Sequence, residues 1–269
     1  GFGIYPLYLK SALEKLRVSM HVFKAGLYKD AAESLIRDSM SDYSREANRQ
    51  LLDGLWQSFA SRIAAERDLS TADINDYINN YAGLLETAGN NPVALAIDKG
   101  LLDAAITREQ WRSEMQSVSG EDGDSYNHIG YRSYVTAVKP ALPVDNPARD
   151  KIAVIVARGT ILDGDHPVGI VGGDTVARMV REARNDRSIK ALVVRIDSPG
   201  GTPSASELIR SELALTQAAG KPVVASMGGY AASGGYWIAS TANKIFASES
   251  TITGSIGVFS MLFTLQRTA

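Results

Sequence analysis

K-I-A-V-I-V-A, residues 151–157, is a short continuous apolar run, and two more follow it: A-L-V-V-R-I at 191–196 and P-V-V-A-S-M at 222–227. Runs this short and this rich in β-branched residues suit strands, and their continuity predicts strands covered on both faces. Between them lie two stretches of helical periodicity, T-V-A-R-M-V-R-E-A-R (175–184) and A-S-E-L-I-R-S-E-L-A-L-T (205–216). Strand, helix and strand in alternation imply right-handed crossovers and a largely parallel sheet. The fold class read from this part of the chain is α/β.

Toward the N-terminus the rhythm differs. L-Y-L-K-S-A-L-E-K-L (7–16) reads as a short helix and R-V-S-M-H-V-F (17–23) as a strand. Residues 41–118 read as helical, with Leu51, Leu52, Leu55, Trp56, Phe59 and Ile63 forming one apolar stripe and further helices expected near 71–86, 92–99 and 107–118. A polar stretch at 119–128 leads to K-P-A-L-P-V-D-N-P (139–147), where Pro140, Pro143 and Pro147 mark a linker. The expected organisation is therefore 1–138, a linker at 139–150, and 151–269. G-F-G-I-Y-P-L-Y-L (1–9) also resembles S-I-G-V-F-S-M-L-F (255–263), with Gly3 over Gly257. That match predicts a permuted slice of a tandem duplication. The chain opens at Gly1 and stops at Q-R-T-A after an apolar run, so both ends are expected to be cut.

Bulk properties remove several classes of function. The 269 residues are 45% hydrophobic, enough for one large core or two moderate ones. A net charge of −2 offers no basic excess to neutralise phosphates, so no nucleic-acid partner is expected. No run of about 18 apolar residues is present to span a membrane. The absence of cysteine excludes disulfides, thiol catalysis and cysteine-ligated zinc. E-D-G-D-S-Y-N-H (121–128) is acidic but lacks the glycine and terminal glutamate of an EF-hand loop. D-G-D-H (163–166) has no second cluster to complete a cation site, so neither metal nor cofactor is expected.

Loops that follow parallel strands gather at one sheet edge, where such folds place their sites. Two glycine-rich stretches occupy that position, D-S-P-G-G-T-P-S (197–204) and G-G-Y-A-A-S-G-G (228–235). In the first, Gly200 and Gly201 precede a helix with Thr202 as N-cap and Pro203 in its first turn; amides there suit either an anion or an ordinary tight turn. In the second, Ser233 opens a helix among alanines and glycines, which provide close helix packing or clearance for a substrate above a nucleophile. The G-x-S-x-G pattern is missing, because Ala231 stands two before the serine, and this disfavours an α/β-hydrolase. His21, His128 and His166 are the three histidines, and sequence sets none of them beside Ser233. Lys29, at the exit of the first strand, is either an exposed loop lysine or a base. As a base near neutral pH its pKa must fall from about 10.4 toward about 7–8, roughly 3–4 kcal/mol of desolvation. Asp30, next to it, opposes that shift if it faces the same space.

These stretches carry a family resemblance. I-D-S-P-G-G (196–201), S-M-G-G-Y-A-A-S-G-G-Y-W-I-A-S (226–240), S-T-I-T-G-S-I-G (250–257) and the lysine-bearing segment 21–41 resemble the SppA (protease IV) family of signal peptide peptidases. The match is to its long, duplicated, Gram-negative form, over the latter part of the first repeat and the early part of the second. The resemblance implies a crotonase/ClpP-like fold and peptide-bond hydrolysis by a serine–lysine dyad. Ser233 matches the nucleophile, Lys29 the general base and Ser255 a serine that orients the lysine. Gly234 and the Gly200–Gly201 turn match the oxyanion-hole region. The implied substrates are cleaved signal peptides. The implied setting is a homo-oligomer, such as a tetramer, on the inner membrane facing the periplasm, its anchor outside this chain. A crotonase-like acyl-CoA enzyme, using the same amides without Ser233 or Lys29, is the competing reading, together with a non-catalytic assembly scaffold. The dyad is expected to close within one chain, since a short linker holds the repeats at high effective concentration.

Overall fold

The computed structural model describes residues 2–138 and 150–265. The predicted linker lies outside the described residues, apart from Asp150. Packing divides the chain into two compact units, one of Gly1–Ser58 with Pro147–Ala269 and one of Phe59–Asn146. The lysine-bearing first residues thus pack with the serine-bearing part of the chain.

In chain order the elements begin with α1 (Lys10–Lys15), β1 (Ser19–Ala25), α2 (Glu33–Ile36) and the long α3 (Asp42–Arg67). The helical unit continues with α4 (Thr71–Asn79), α5 (Tyr81–Thr87), α6 (Pro92–Asp98) and α7 (Arg108–Ser119). It ends with a small hairpin, β2 (Glu121–Asp122) and β3 (Ser125–Tyr126), and α8 (Tyr131–Val138), which periodicity did not reveal. Sharp starts explain the short helices. Ser70 with Asp73 and Thr107 with Gln110 form reciprocal capping boxes, and Asn91 caps α6 just before Pro92. Buried Ile74, Leu95 and Ala96 hold this unit together with Ala60 and Ala64 of α3.

The remainder forms the α/β unit. It runs β4 (Lys151–Arg158), β5 (Ile161–Leu162), β6 (Val171–Gly172), α9 (Gly173–Asn185), β7 (Ile189–Ser198), α10 (Pro203–Ala218) and β8 (Val223–Ala232). It closes with α11 (Gly234–Ala239), β9 (Lys244–Phe246), β10 (Ile252–Gly254) and β11 (Val258–Thr264). The main sheet is parallel, in the order β10-β8-β7-β4, with β9 also pairing with β8. The fold is therefore α/β with a parallel sheet, consistent with the crotonase/ClpP-like class.

One expectation fails here. On β4, Ile152, Val154 and Val156 are 64%, 62% and 61% exposed, while Ile155 and Ala157 are buried. The strand is covered on one face. Strands β4, β7 and β8 lie side by side in sequence order, so both crossovers advance in the same direction. Right-handedness then places α9 and α10 on one side of the sheet. Val176, Val180, Ile209 and Leu213 of those helices meet Ile155, Leu192, Val194 and Ile196 in the core. Buried Glu212 of α10 accepts hydrogen bonds from Arg181 and Arg184 of α9, which clamp the helix pair. Burial pushes the Glu212 carboxyl up, and these bonds outweigh it, leaving it below the usual glutamate value.

A second, two-stranded sheet joins distant parts of the chain. β1 pairs antiparallel with β11, in a register that sets Ala25 against Val258 and Ser19 against Thr264. Residues 2–9, which match 256–263 in apolar pattern, form no strand and have no ladder partner among the described residues. Ile209→Ala should lower the unfolding free energy by about 2–5 kcal/mol, because its fully buried side chain leaves a cavity between sheet and helices. Leu208→Ala, at 36% exposed, should cost less than about 1 kcal/mol. Denaturant midpoints of the two variants in the full-length protein check the contrast.

Candidate active site

The site is built where three chain segments end together. β8 stops at Ala232, and Ser233 follows as the N-cap of α11 at φ +52° and ψ −117°. That conformation is rare for a residue with a Cβ and is held from outside: Ser233 N–H donates to Gly254 O of β10 at 2.8 Å, and Trp237 N–H donates to Ser233 O at 2.9 Å. Ser255, directly after β10, also has positive φ, +48°. β11 then leads back along β1, and the loop leaving β1 carries Lys29. Two glycines make that crossing: a Cβ at Gly26 would meet Ile256 O at 2.7 Å, and one at Gly257 would overlap Ala25 O.

Lys29 is 5% exposed, and its Nζ lies 2.8 Å from Ser233 Oγ. Its other hydrogen bonds go to Ser255, at 3.1 Å to the carbonyl oxygen and 3.2 Å to Oγ. No carboxylate contacts this Nζ among the described residues. Burial pushes the Lys29 amine below its ordinary value of 10.5, and the nearby Asp30 charge works against that shift. The Phe259 ring, with its centroid 5.9 Å from Nζ, also favours the charged form, while burial prevails over the Asp30 charge.

The two glycine turns meet beside Ser233. A Cβ at Gly200 would lie 2.6 Å from Gly234 N and 2.8 Å from Ser233 Cβ, and φ here is +101°, so glycine is required on both counts. The amides of the D-S-P-G-G-T turn are not equivalent. Gly200 N–H is spent on Ser198 Oγ at 3.1 Å, and Thr202 N–H on Ile161 O at 2.9 Å. Gly201 N–H has no partner among the described residues. It faces Gly234, whose amide opens α11 and has no intrahelical acceptor. The amides left without an acceptor among the described residues are those of Gly201 and Gly234, while Gly200 supplies close approach. Thr202 occupies the N-cap position as expected, but its hydroxyl makes no cap bond and is buried without a partner.

A small cavity of about 60 Å³ opens over these groups, lined by Lys29, Ser233, Gly201, Trp237, Val258 and Phe259. Trp237 is fixed by its indole N–H, which donates to Glu207 Oε2 at 2.9 Å. Arg210, then Trp237 and Ser211, hold the Glu207 carboxyl down at about 2. The wall therefore stays anchored as long as that carboxylate is ionised. This Glu207–Trp237 contact spans 30 residues and left no local signal. The three histidines are elsewhere: His21 contacts Thr264 Oγ1, His128 the Tyr126 carbonyl and His166 the Asp163 carbonyl. No helix among the described residues is long and apolar enough to cross a membrane.

Comparison with known proteins identifies the family. Peptidase family S49 matches the chain over residues 1–117 and 216–269. The chain belongs to peptidase family S49. The matched parts hold Lys29, Ser233, Gly234 and Ser255, while Gly200 and Gly201 fall between them. Protease 4 from Salmonella typhi is 42% identical over 268 residues, covering 99% of this chain and 42% of that protein. Protease 4 from Haemophilus influenzae is 38% identical over 267 residues, 99% of this chain and 43% of that one. The chloroplastic serine protease SPPA of Arabidopsis thaliana is 32% identical over 271 residues, 99% and 39% respectively. This S49 chain thus spans about two fifths of the length of these curated relatives.

Direct titration should find the Lys29 amine below 10.5, with the shifted resonance absent from Lys29→Ala. NMR of ¹⁵N-labelled lysines reads it, and a Lys29 titrating at or above 10.5 would contradict the burial argument.

Proposed function

We propose that this chain carries the dyad of a serine endopeptidase, with Ser233 as nucleophile and Lys29 as general base. The observation that carries the reading is the 2.8 Å approach of Lys29 Nζ to Ser233 Oγ inside a pocket that lowers the amine's proton affinity. A neutral amine has two N–H donors and one lone pair. Donors spent on the Ser255 carbonyl and hydroxyl leave the lone pair for the Ser233 proton, which gives Ser255 the orienting role.

The amine takes the Ser233 proton as Oγ attacks the scissile carbonyl carbon. The oxyanion that forms is received by the Gly201 and Gly234 amides. The lysine ammonium returns its proton to the leaving amine, and an acyl-enzyme remains on Ser233. Water, deprotonated by the same lysine, then releases the acid. An acyl-CoA enzyme would use the amides alone and has no need of a desolvated lysine against the serine, so the contact favours the peptidase.

By the family resemblance we take cleaved signal peptides as substrates of the full-length protein. We place that protein as a homo-oligomer on the inner membrane facing the periplasm, anchored by a segment outside this chain. In the same reading residues 1–138 and 151–269 descend from two repeats, and the dyad closes across them within one chain.

Ser233→Ala and Lys29→Ala should each reduce peptide hydrolysis by at least about 100-fold in folded full-length protein, since positioned base catalysis contributes about 10²–10⁴. Lys29→Arg should be equally inactive because guanidinium keeps its proton. Wild-type activity should rise with pH as Lys29 is deprotonated. A Lys29→Ala variant within about tenfold of wild type would end the dyad assignment. Gly200→Ala should abolish activity, whereas Gly229→Ala, whose Cβ would meet only Asp197 Oδ1 at 4.0 Å, should retain most of it. Parallel rate assays on the two glycine variants check the difference.

A further inference from the structure

Lys29 is followed by an acid, and the pair poses a problem for a lysine that must be neutral. A carboxylate within about 4–6 Å of an amine stabilises its proton by about 1–3 pKa units. The Asp30 charge is felt at Lys29 in that direction. Yet the Asp30 carboxylate is engaged elsewhere. Ser44 Oγ, on the first turn of α3, donates to Asp30 Oδ2 at 2.6 Å. Ser44 is 5% exposed and has no part in the chemistry described above.

The direction of that bond is determined by its surroundings. Asn48 Nδ2, one turn further along α3, donates to Ser44 Oγ at 3.3 Å. With that lone pair occupied, the single hydroxyl proton of Ser44 is directed at Asp30. The serine backbone is fixed as well, since Ser44 N–H donates to Ser41 Oγ at 3.2 Å. A second tie lies one turn along the loop, where Ser41 N–H donates to buried Glu33 Oε2 at 3.1 Å. The Lys29 loop is therefore tethered to the start of α3 through both of its acids.

We propose that Ser44 is a positioning residue for the lysine base: it holds the Asp30 carboxylate on the α3 side, away from Lys29 Nζ, so that the amine beside Ser233 gives up its proton more readily. The inference rests on the serine–lysine reading above. Other charged or titratable groups around the two acids are Tyr8 from the N-terminal segment, Lys24 of β1, Arg37 after α2 and Arg45 of α3. Lys24 pairs with Glu33 at 3.7 Å, so it offers the Asp30 carboxylate no substitute for Ser44. Without the hydroxyl, the Asp30 carboxylate is released to act more strongly on the Lys29 ammonium, whose proton it already favours.

The test is the pH profile of kcat/KM for peptide hydrolysis by the full-length protein. Ser44→Ala should move the rising limb to higher pH by about half a unit to one unit, a loss of roughly three- to tenfold at pH values below the limb. Asp30→Asn should move the limb to lower pH. The double variant should follow Asp30→Asn, because without the carboxylate there is nothing for Ser44 to hold. A merely structural serine would lower the plateau and leave the limb in place. A limb unmoved in Ser44→Ala, or a Ser44→Ala shift that persists in the Asp30→Asn background, overturns the proposal. If Ser44→Ala does not fold, Asp30→Asn alone decides, and an unmoved limb there overturns it too. Substantial activity in Lys29→Ala would instead remove the dyad, so the two failures are distinguishable.

Discussion

An amine buried to 5% exposure, with no carboxylate on its nitrogen among the described residues, sets the terms for the rest of this unit. Charging Lys29 there carries a desolvation penalty that its serine contacts offset only in part. Hydroxyl and carbonyl oxygens of Ser233 and Ser255 surround the nitrogen, so its polar contacts are met without a counter-charge. Two partners 204 and 226 residues away must be delivered to one point with ångström accuracy. The pairing of β1 with β11 does this. It makes the lysine loop an extension of the strand that leaves Ser255, so Lys29 and Ser255 share one ribbon.

Backbone strain is concentrated at the same place. Two of the five non-glycine residues with positive φ among the described residues are Ser233 and Ser255. Neither conformation persists unless its surroundings enforce it. For Ser233 the enforcement is the bond from its amide to Gly254 O and the close seating of Gly200 against it. The glycine turn is in turn pinned through Ile161, which accepts from Thr202 N–H and donates to Gly200 O. Those two bonds turn the intervening Gly201 amide away from Ile161, and its nitrogen lies close to Gly234. The core between the sheet and α9 and α10 supplies the rigidity that these positions draw on.

Sequence reading reached different depths at different residues. Ser233 was legible because a serine bared by alanine and glycine at a strand exit is a local pattern. Lys29 was legible as a strand-exit lysine, but its burial was not, since burial is a property of the folded pair of ribbons. Asp30 was recognised as a threat to a neutral lysine, while its orientation depended on Ser44, fourteen residues on. The glycines were found as a region. Which amide is free depended on Ser198 and Ile161, whose bonds no spacing rule announces. The anchored Trp237 wall was missed for the same reason.

The amino-acid sequence by itself determined the α/β alternation, the helical character of residues 41–118, the absence of thiol chemistry and the two glycine turns at strand exits. Each of these follows from periodicity, composition or backbone freedom, which act over a few residues. Tertiary structure decided that β4 is covered on one face, because strand order sets the side on which right-handed crossovers fall. It also decided that Lys29 meets Ser233, that Gly201 rather than Gly200 has the unpaired amide, and that Asp30 turns toward α3. These outcomes depend on hydrogen bonds and burial between segments up to 226 residues apart, and such contacts exist only once the chain has closed on itself.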